Sequence, residues 1–347
     1  MNKYYLIYLL LVFFIFESSA QIKVDLKLEF NEFDIKNTSI RAIQVVNDST
    51  IWFAGSNGKY GRIINDEIQL DSVSYNEKFL NFRSIAFNGK NIYILSIENP
   101  AILFKIDPNT SYLSKPKIVY KEDHPGVFYD AMIFLDEKNG IAMGDPVEDC
   151  FSVILTSDGG NTWNKSNCDQ IPVIFKDEAA FAASNGNIAV HGKNIWMVSG
   201  GQKARVFYSK DRGTNWNVVE TPMIQGGKMT GIFTVDFYDT KNGIIMGGNW
   251  EEKSNPDKTK ARTQDGGKTW QLIANDQIPG YISSVQYRPK SKGKELFAVS
   301  TEGIYYSSDK GSSWTKINDR GFYSIRFINK NNAWLSKNNQ IVKININ

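Results

Sequence analysis

Arg41, Arg83, Asp130 and Glu178 each stand at or just before the start of a strand-like run: RAIQVV (41–46), RSIAF (83–87), DAMIFL (130–135) and AAFAAS (179–184). Brought together at one hub, the two arginines could clamp a carboxylate or sulfate bidentately. Asp130 and Glu178 on neighbouring units could act as an acid/base pair, with Tyr323, at the head of YSIRFI (323–328), as a nucleophile. The same charges could instead pair among themselves as a partly buried ion network. Polar loops, GDPVED (144–149), GGQKAR (200–205), GGNWEE (247–252) and SNGKY (56–60), carry Asp145, Lys203, Arg205 and Trp250 toward the same end. A tryptophan beside carboxylates suits stacking on a sugar ring or docking of a peptide.

Other chemistries find no support. The chain has no G-x-S-x-G, no H-E-x-x-H and no dinucleotide fingerprint. GGKT (266–269) is not a phosphate loop, because Arg262 stands where the first glycine belongs. The two histidines, His124 and His191, lie far apart, and no metal or cofactor is expected. A net charge of +3 without a basic tract gives no nucleic-acid signature.

What must position these residues is a strand-rich frame. Aromatic and turn-forming residues are plentiful among the 347, with 45 Phe, Tyr and Trp and 27 Gly. Further inner runs stand at TGIFTVDF (230–237) and SSVQY (283–287), and most runs are followed by a polar turn and a second apolar run. That makes seven units. The last lacks an outer strand, which IKVDLKLEF (22–30) could supply beside QIVKININ (340–347).

Four octets punctuate the frame: TSDGGNTW (156–163), SKDRGTNW (209–216), TQDGGKTW (263–270) and SSDKGSSW (307–314). Each reads as a hairpin turn. Asp158, Asp211, Asp265 or Asp309 accepts backbone N–H groups, a glycine takes a conformation a Cβ would oppose, and Trp163, Trp216, Trp270 or Trp314 packs between sheets. These residues build the fold. Cys150 and Cys168 flank the first turn symmetrically, which favours a cross-strand disulfide over two thiols displaced by a bulge.

The octets resemble the Asp-box, or BNR repeat, of sialidases and other β-propellers. The resemblance implies an all-β, seven-bladed β-propeller over residues 21–347, closed by the N-terminal strand in its last blade. Sialidases carry a Phe-Arg-Ile-Pro motif; the nearest match here, Phe82-Arg83-Ser84-Ile85, lacks the proline. The seven units are more similar to the photosystem-II-assembly-factor type of propeller, a binding platform. The implied function is an exported platform that holds an envelope or extracellular protein, or an acidic glycan. The alternative is a glycan-active, sialidase-like hydrolase or lyase.

The first 20 residues read as a secretory signal. Lys3 precedes an apolar run from Tyr4 to Phe16, and Ser18-Ser19-Ala20 offers a cleavage site. An uncleaved anchor is the alternative. After cleavage a monomer is expected, periplasmic or extracellular, with no membrane span.

Overall fold

The computed structural model describes residues 26–347, and the signal-peptide reading lies outside them. The regular structure of the described chain is antiparallel strand, apart from one short 3-10 turn at Cys168–Gln170. No helix among these residues is long and apolar enough to cross a membrane.

Four of the six large sheets are four-stranded meanders. Phe82–Phe87, Ile92–Ser96, Ala101–Ile106 and Lys117–Glu122 pair in chain order, and the sheets beginning at Tyr129–Phe134, Ile188–His191 and Ser284–Tyr287 repeat the pattern. Second strands such as Thr50–Gly55 and Ile92–Ser96 are buried at every position. They read as continuous apolar runs because neighbouring sheets cover both their faces. Outer strands such as Glu67–Ser72 face water and are polar at most positions.

Inner strands contact one another in a closed cycle. Leu28–Asn47 meets Phe82–Phe87, then come Tyr129–Phe134, Ile188–His191, Thr230–Phe237, Ser284–Tyr287 and Ser324–Asn329, which returns to Leu28–Asn47. Radial sheets arranged this way around one axis form a β-propeller.

The described residues form six large sheets, where seven separate ones were expected. The cause is one continuous strand. Leu28–Asn47 pairs through Leu28–Asp34 with Gln340–Ile346, and through Ile40–Asn47 with Thr50–Gly55. The first and last units therefore share one six-stranded sheet. A second correction concerns AAFAAS. The strand at that place is Ile188–His191, and residues 180–187 leave the sheet altogether.

The four octets share one turn geometry. In the first, the Asp158 carboxylate accepts from Thr156 Oγ1 (2.9 Å), the Thr162 amide (3.0 Å) and Thr162 Oγ1 (2.7 Å). Asp211, Asp265 and Asp309 accept the equivalent set from Ser209 and Asn215, Thr263 and Thr269, and Ser307 and Ser313. Burial pushes the Asp265 carboxyl up, but these hydrogen bonds outweigh it and hold the group at about 2. Gly160 sits at φ +76°, where a Cβ would meet the Tyr93 ring at 2.5 Å. Trp216, Trp270 and Trp314 each donate Nε1–H to the glycine carbonyl three residues back.

Cys150 and Cys168 are joined, with their Cα atoms 5.5 Å apart. The ladder beside them ends at Ile154 opposite Lys165, so Cys168 reaches its partner from the 3-10 turn rather than from a regular strand.

Candidate functional site

Where the inner strands converge, the axis is filled by the chain itself. Residues 181–186, FAASNG, cross the hub between the strands. Small side chains let the backbone pass, and its polar groups must then find partners inside the ring. Arg41 Nη1 donates to the Ala183 carbonyl at 3.1 Å and Arg83 Nη1 to the Ala182 carbonyl at 3.2 Å. Arg326 Nη2 donates to Ser184 O (2.8 Å) and Asn185 O (3.1 Å). Asn185 donates to Ile85 O and accepts from the Met132 amide, and Ser184 Oγ donates to Ser283 O. The amide of Val235 donates to Gly186 O at 2.9 Å. The plug is thus tied to strands on every side of the ring. A Cβ at Gly186 would meet Ser184 Oγ at 2.8 Å and Thr234 Oγ1 at 2.9 Å, so both side chains would have to give way.

Above the plug lies a cavity of about 350 Å³. Arg41, Arg83, Asp130, Asp145 and Trp250 line it, so five residues proposed from the sequence meet at one place. Its floor is Ala179–Ala183, the head of the plug. Its apolar wall is built by Phe128, Phe181, Met229, Phe233 and Tyr281, with Lys228 at the rim. Phe181 stacks on Phe233 at 4.0 Å between centroids, and Trp250 meets Tyr281 edge-on at 5.1 Å. Lys253 Nζ caps the Trp250 ring at 4.0 Å.

The charges in this cavity are not neutralised by one another. Among the described residues neither Arg41 nor Arg83 lies within 4 Å of a carboxylate. Arg41 instead lies over the Tyr323 ring at 4.0 Å, and its Nε has no partner. Asp130 is fully buried, and neither carboxyl oxygen has a hydrogen-bond partner. Burial, reinforced by the Asp145 charge, pushes the Asp130 carboxyl well above the usual range; Arg83 offsets this only in part. Asp145 accepts the Ala180 amide at 2.9 Å, yet burial still raises it to about 6. Burial, then Arg41, lowers the Arg83 guanidinium.

Four further residues considered from the sequence, Glu178, Arg205, Lys203 and Tyr323, stand apart from the cavity. Glu178 is paired bidentately with Arg205, Nε to Oε1 at 2.9 Å and Nη2 to Oε2 at 2.6 Å. It also accepts Ser199 Oγ and the Phe175 amide, which saturates it. Lys203 pairs with Glu220 at 3.1 Å. Tyr323 lies beneath Arg41 and is not part of the lining.

The wall residues escaped the sequence reading for a positional reason. Phe128, Lys228, Met229 and Tyr281 stand one to three residues before inner strands, whereas the reading took the first residue of each strand. That offset is the signal that could have found them. Phe181 had been placed inside a strand.

Fold and hub together define a β-propeller with a plugged axis and a charged, aromatic-walled cavity above the plug. No protein-family model matches the chain. A xyloglucanase from Paenibacillus sp is 24% identical over 208 residues, 48% of this chain. The match spans only 19% of that protein's length. Solved structures of similar fold include YCF48 bound to D1 peptide, with a TM-score of 0.65 and 12% identity over 90% of this chain and 96% of that one. YCF48 from Cyanidioschyzon merolae has a TM-score of 0.60 and 12% identity, covering 90% and 98%. A virginiamycin B lyase from Staphylococcus aureus has a TM-score of 0.59 and 11% identity, covering 92% and 99%. At these identities the likeness is one of fold.

Proposed function

We propose that this chain is a binding platform that holds a segment of a partner protein at the hub cavity. The observation that carries the reading is the pair Arg41 and Arg83. Both guanidiniums line an open, aromatic-walled cavity without a carboxylate partner, so each keeps donors for an acidic group of the partner. A propeller of similar fold is known as YCF48 bound to D1 peptide, which accords with a peptide at such a surface.

Glycan hydrolysis is the weaker reading. The expected pair of Asp130 and Glu178 would need two carboxyls facing one space, but Glu178 is committed to Arg205. The octets are read as Asp-box turns. Counted by inner strand rather than by sheet, the ring would have seven units, two of them sharing Leu28–Asn47. The disulfide and the leader-like N-terminus accord with an exported protein, periplasmic or extracellular.

The test is affinity capture from envelope and culture-medium fractions with the wild-type protein and an Arg41→Gln/Arg83→Gln variant, beside turnover assays on acidic glycans and xyloglucan. A partner retained by wild type and lost from the variant supports the platform. Turnover abolished by Asp130→Asn would replace it with the enzyme.

A further inference from the structure

The sequence scatters its lysines, and the fold gathers several of them at the end of the ring opposite the hub cavity. Hub residues stand at or just before the starts of inner strands. Tyr238 and Tyr287 instead stand at or just past the ends of Thr230–Phe237 and Ser284–Tyr287, where the antiparallel strands turn on the other face. Two clefts open there, of about 350 Å³ and about 140 Å³. They are built alike, each between one sheet and the next. The walls of the first come from Tyr208–Lys210, the turn at Thr240–Lys241 and the octet at Asp265–Lys268. The second takes the equivalent places, Arg262–Gln264, Lys292–Gly293 and Lys310. One turn divides them, with Thr240 and Lys241 on the first cleft and Tyr238 and Asp239 on the second.

Each cleft is lined by three cations and one carboxylate. Among the described residues none of Lys210, Lys241, Lys268, Arg262, Lys292 and Lys310 lies within 4 Å of a carboxylate. The two carboxylates are spent on their own turns: Asp265 accepts the amide and hydroxyl of Thr269, and Asp239 accepts the Lys241 and Asn242 amides. An ordinary solvated surface mixes both signs, whereas cations lining a cleft concentrate anions in it. The walls are also aromatic. Tyr208 is half-buried in the first cleft, and Tyr238 is exposed in the second, tilted against Tyr287 with 5.9 Å between centroids.

We infer that a linear acidic polysaccharide, a chain of uronate units, lies across this face, its rings against Tyr208 and Tyr238 and its carboxylates among the six cations. A tyrosine offers a sugar ring an apolar face and a polar hydroxyl. Two like clefts on either side of one turn suit a polymer with repeating charge rather than a single small anion. A flat anionic membrane would meet the lysine tips without entering either cleft. The inference goes beyond the platform reading and does not need it, because Arg41 and Arg83 lie on the opposite face.

The experiment is isothermal titration calorimetry of the purified protein with galacturonate oligomers of increasing length, beside neutral dextran, dextran sulfate and vesicles containing phosphatidylglycerol. The longer oligomers should bind, and the disaccharide about tenfold more weakly, because only a longer chain reaches both clefts. Lys210→Gln/Lys241→Gln and Lys292→Gln/Lys310→Gln should each weaken binding of the longer oligomers by about tenfold. Tyr238→Ser should also weaken it, which adsorption of a polyanion on lysines alone would not show. Thermal unfolding checks that the variants are folded; should one fail, the pair on the other cleft decides. Absence of oligomer binding at millimolar concentration overturns the inference, as does dextran sulfate binding as tightly as the oligomers with no effect of Tyr238→Ser. Binding to the vesicles but not to the oligomers would replace it with a membrane-facing surface. Capture of a partner lost with Arg41→Gln/Arg83→Gln reports on the platform reading alone.

Discussion

Arg205 closes on Glu178 with Nη2 2.6 Å from Oε2, in a site where both side chains are almost completely buried. The pair has two parallel hydrogen bonds, and Ser199 and the Phe175 amide satisfy the remaining lone pairs. It anchors the short Glu178–Ala179 strand against Gly200–Gly201, just where the chain departs for the axis.

Breaking this pair from one side should be severe. Glu178→Gln leaves a buried guanidinium unmatched, and the expected loss is about 3–5 kcal/mol in urea unfolding. Asp130→Asn should be neutral or stabilising, because it removes a buried carboxyl that no group in the ring satisfies. A larger loss for Asp130→Asn than for Glu178→Gln would invert the assignment of structural and binding roles.

Stability should also depend on pH in a defined sense. Asp145 and Asp236 are raised to about 6 by burial, so in mild acid the folded state binds more protons than the unfolded chain. Their contribution to stability is greatest below the unfolded value near 4 and falls as pH rises to about 6. Asp145→Asn should therefore flatten the pH slope over that window, gaining about 3 kcal/mol relative to wild type between pH 4 and pH 7. Asp265 acts oppositely: its carboxyl is depressed to about 2, and the stability it lends is lost below about pH 4. Chemical denaturation at stepped pH values measures both.

The disulfide closes a loop with a sequence separation of 18. Loop-closure entropy for that length predicts that Cys150→Ser/Cys168→Ser loses about 3 kcal/mol. Reduction of the wild-type protein should lower its unfolding free energy by a similar amount, and a reduced protein with an unchanged midpoint would contradict this.

The plug can be tested at Asn185, whose side chain joins Ile85 and Met132. Asn185→Ala should speed amide hydrogen exchange in Phe82–Phe87 and Tyr129–Phe134 while sparing the outer strands. Uniform acceleration through the ring would show that the segment is merely a buried loop.

Much of the frame was legible because its causes are local. Alternating turns and apolar runs mark the strands, and the aspartates of the four octets bond only within their own turns, so four residues of context suffice. Asp130, Arg41 and Arg83 were legible as cavity residues because the start of an inner strand must face the hub. The plug was not. AAFAAS has strand-like spacing, and only the convergence of carbonyl-seeking side chains from distant strands, Arg41, Arg83 and Arg326, decides that it fills the axis. The shared sheet was equally hidden, since nothing in Leu28–Asn47 marks where one pairing partner hands over to the next.

That shared strand also sets a clock. Leu28 pairs with Ile346, so the two sides of one ladder are synthesised more than 300 residues apart. At about 5–20 residues per second, the early strand waits roughly 15–60 s for its mate. Throughout that interval an unpaired β-edge stands open on the nascent chain, a natural target for chaperones and a hazard for intermolecular zippering.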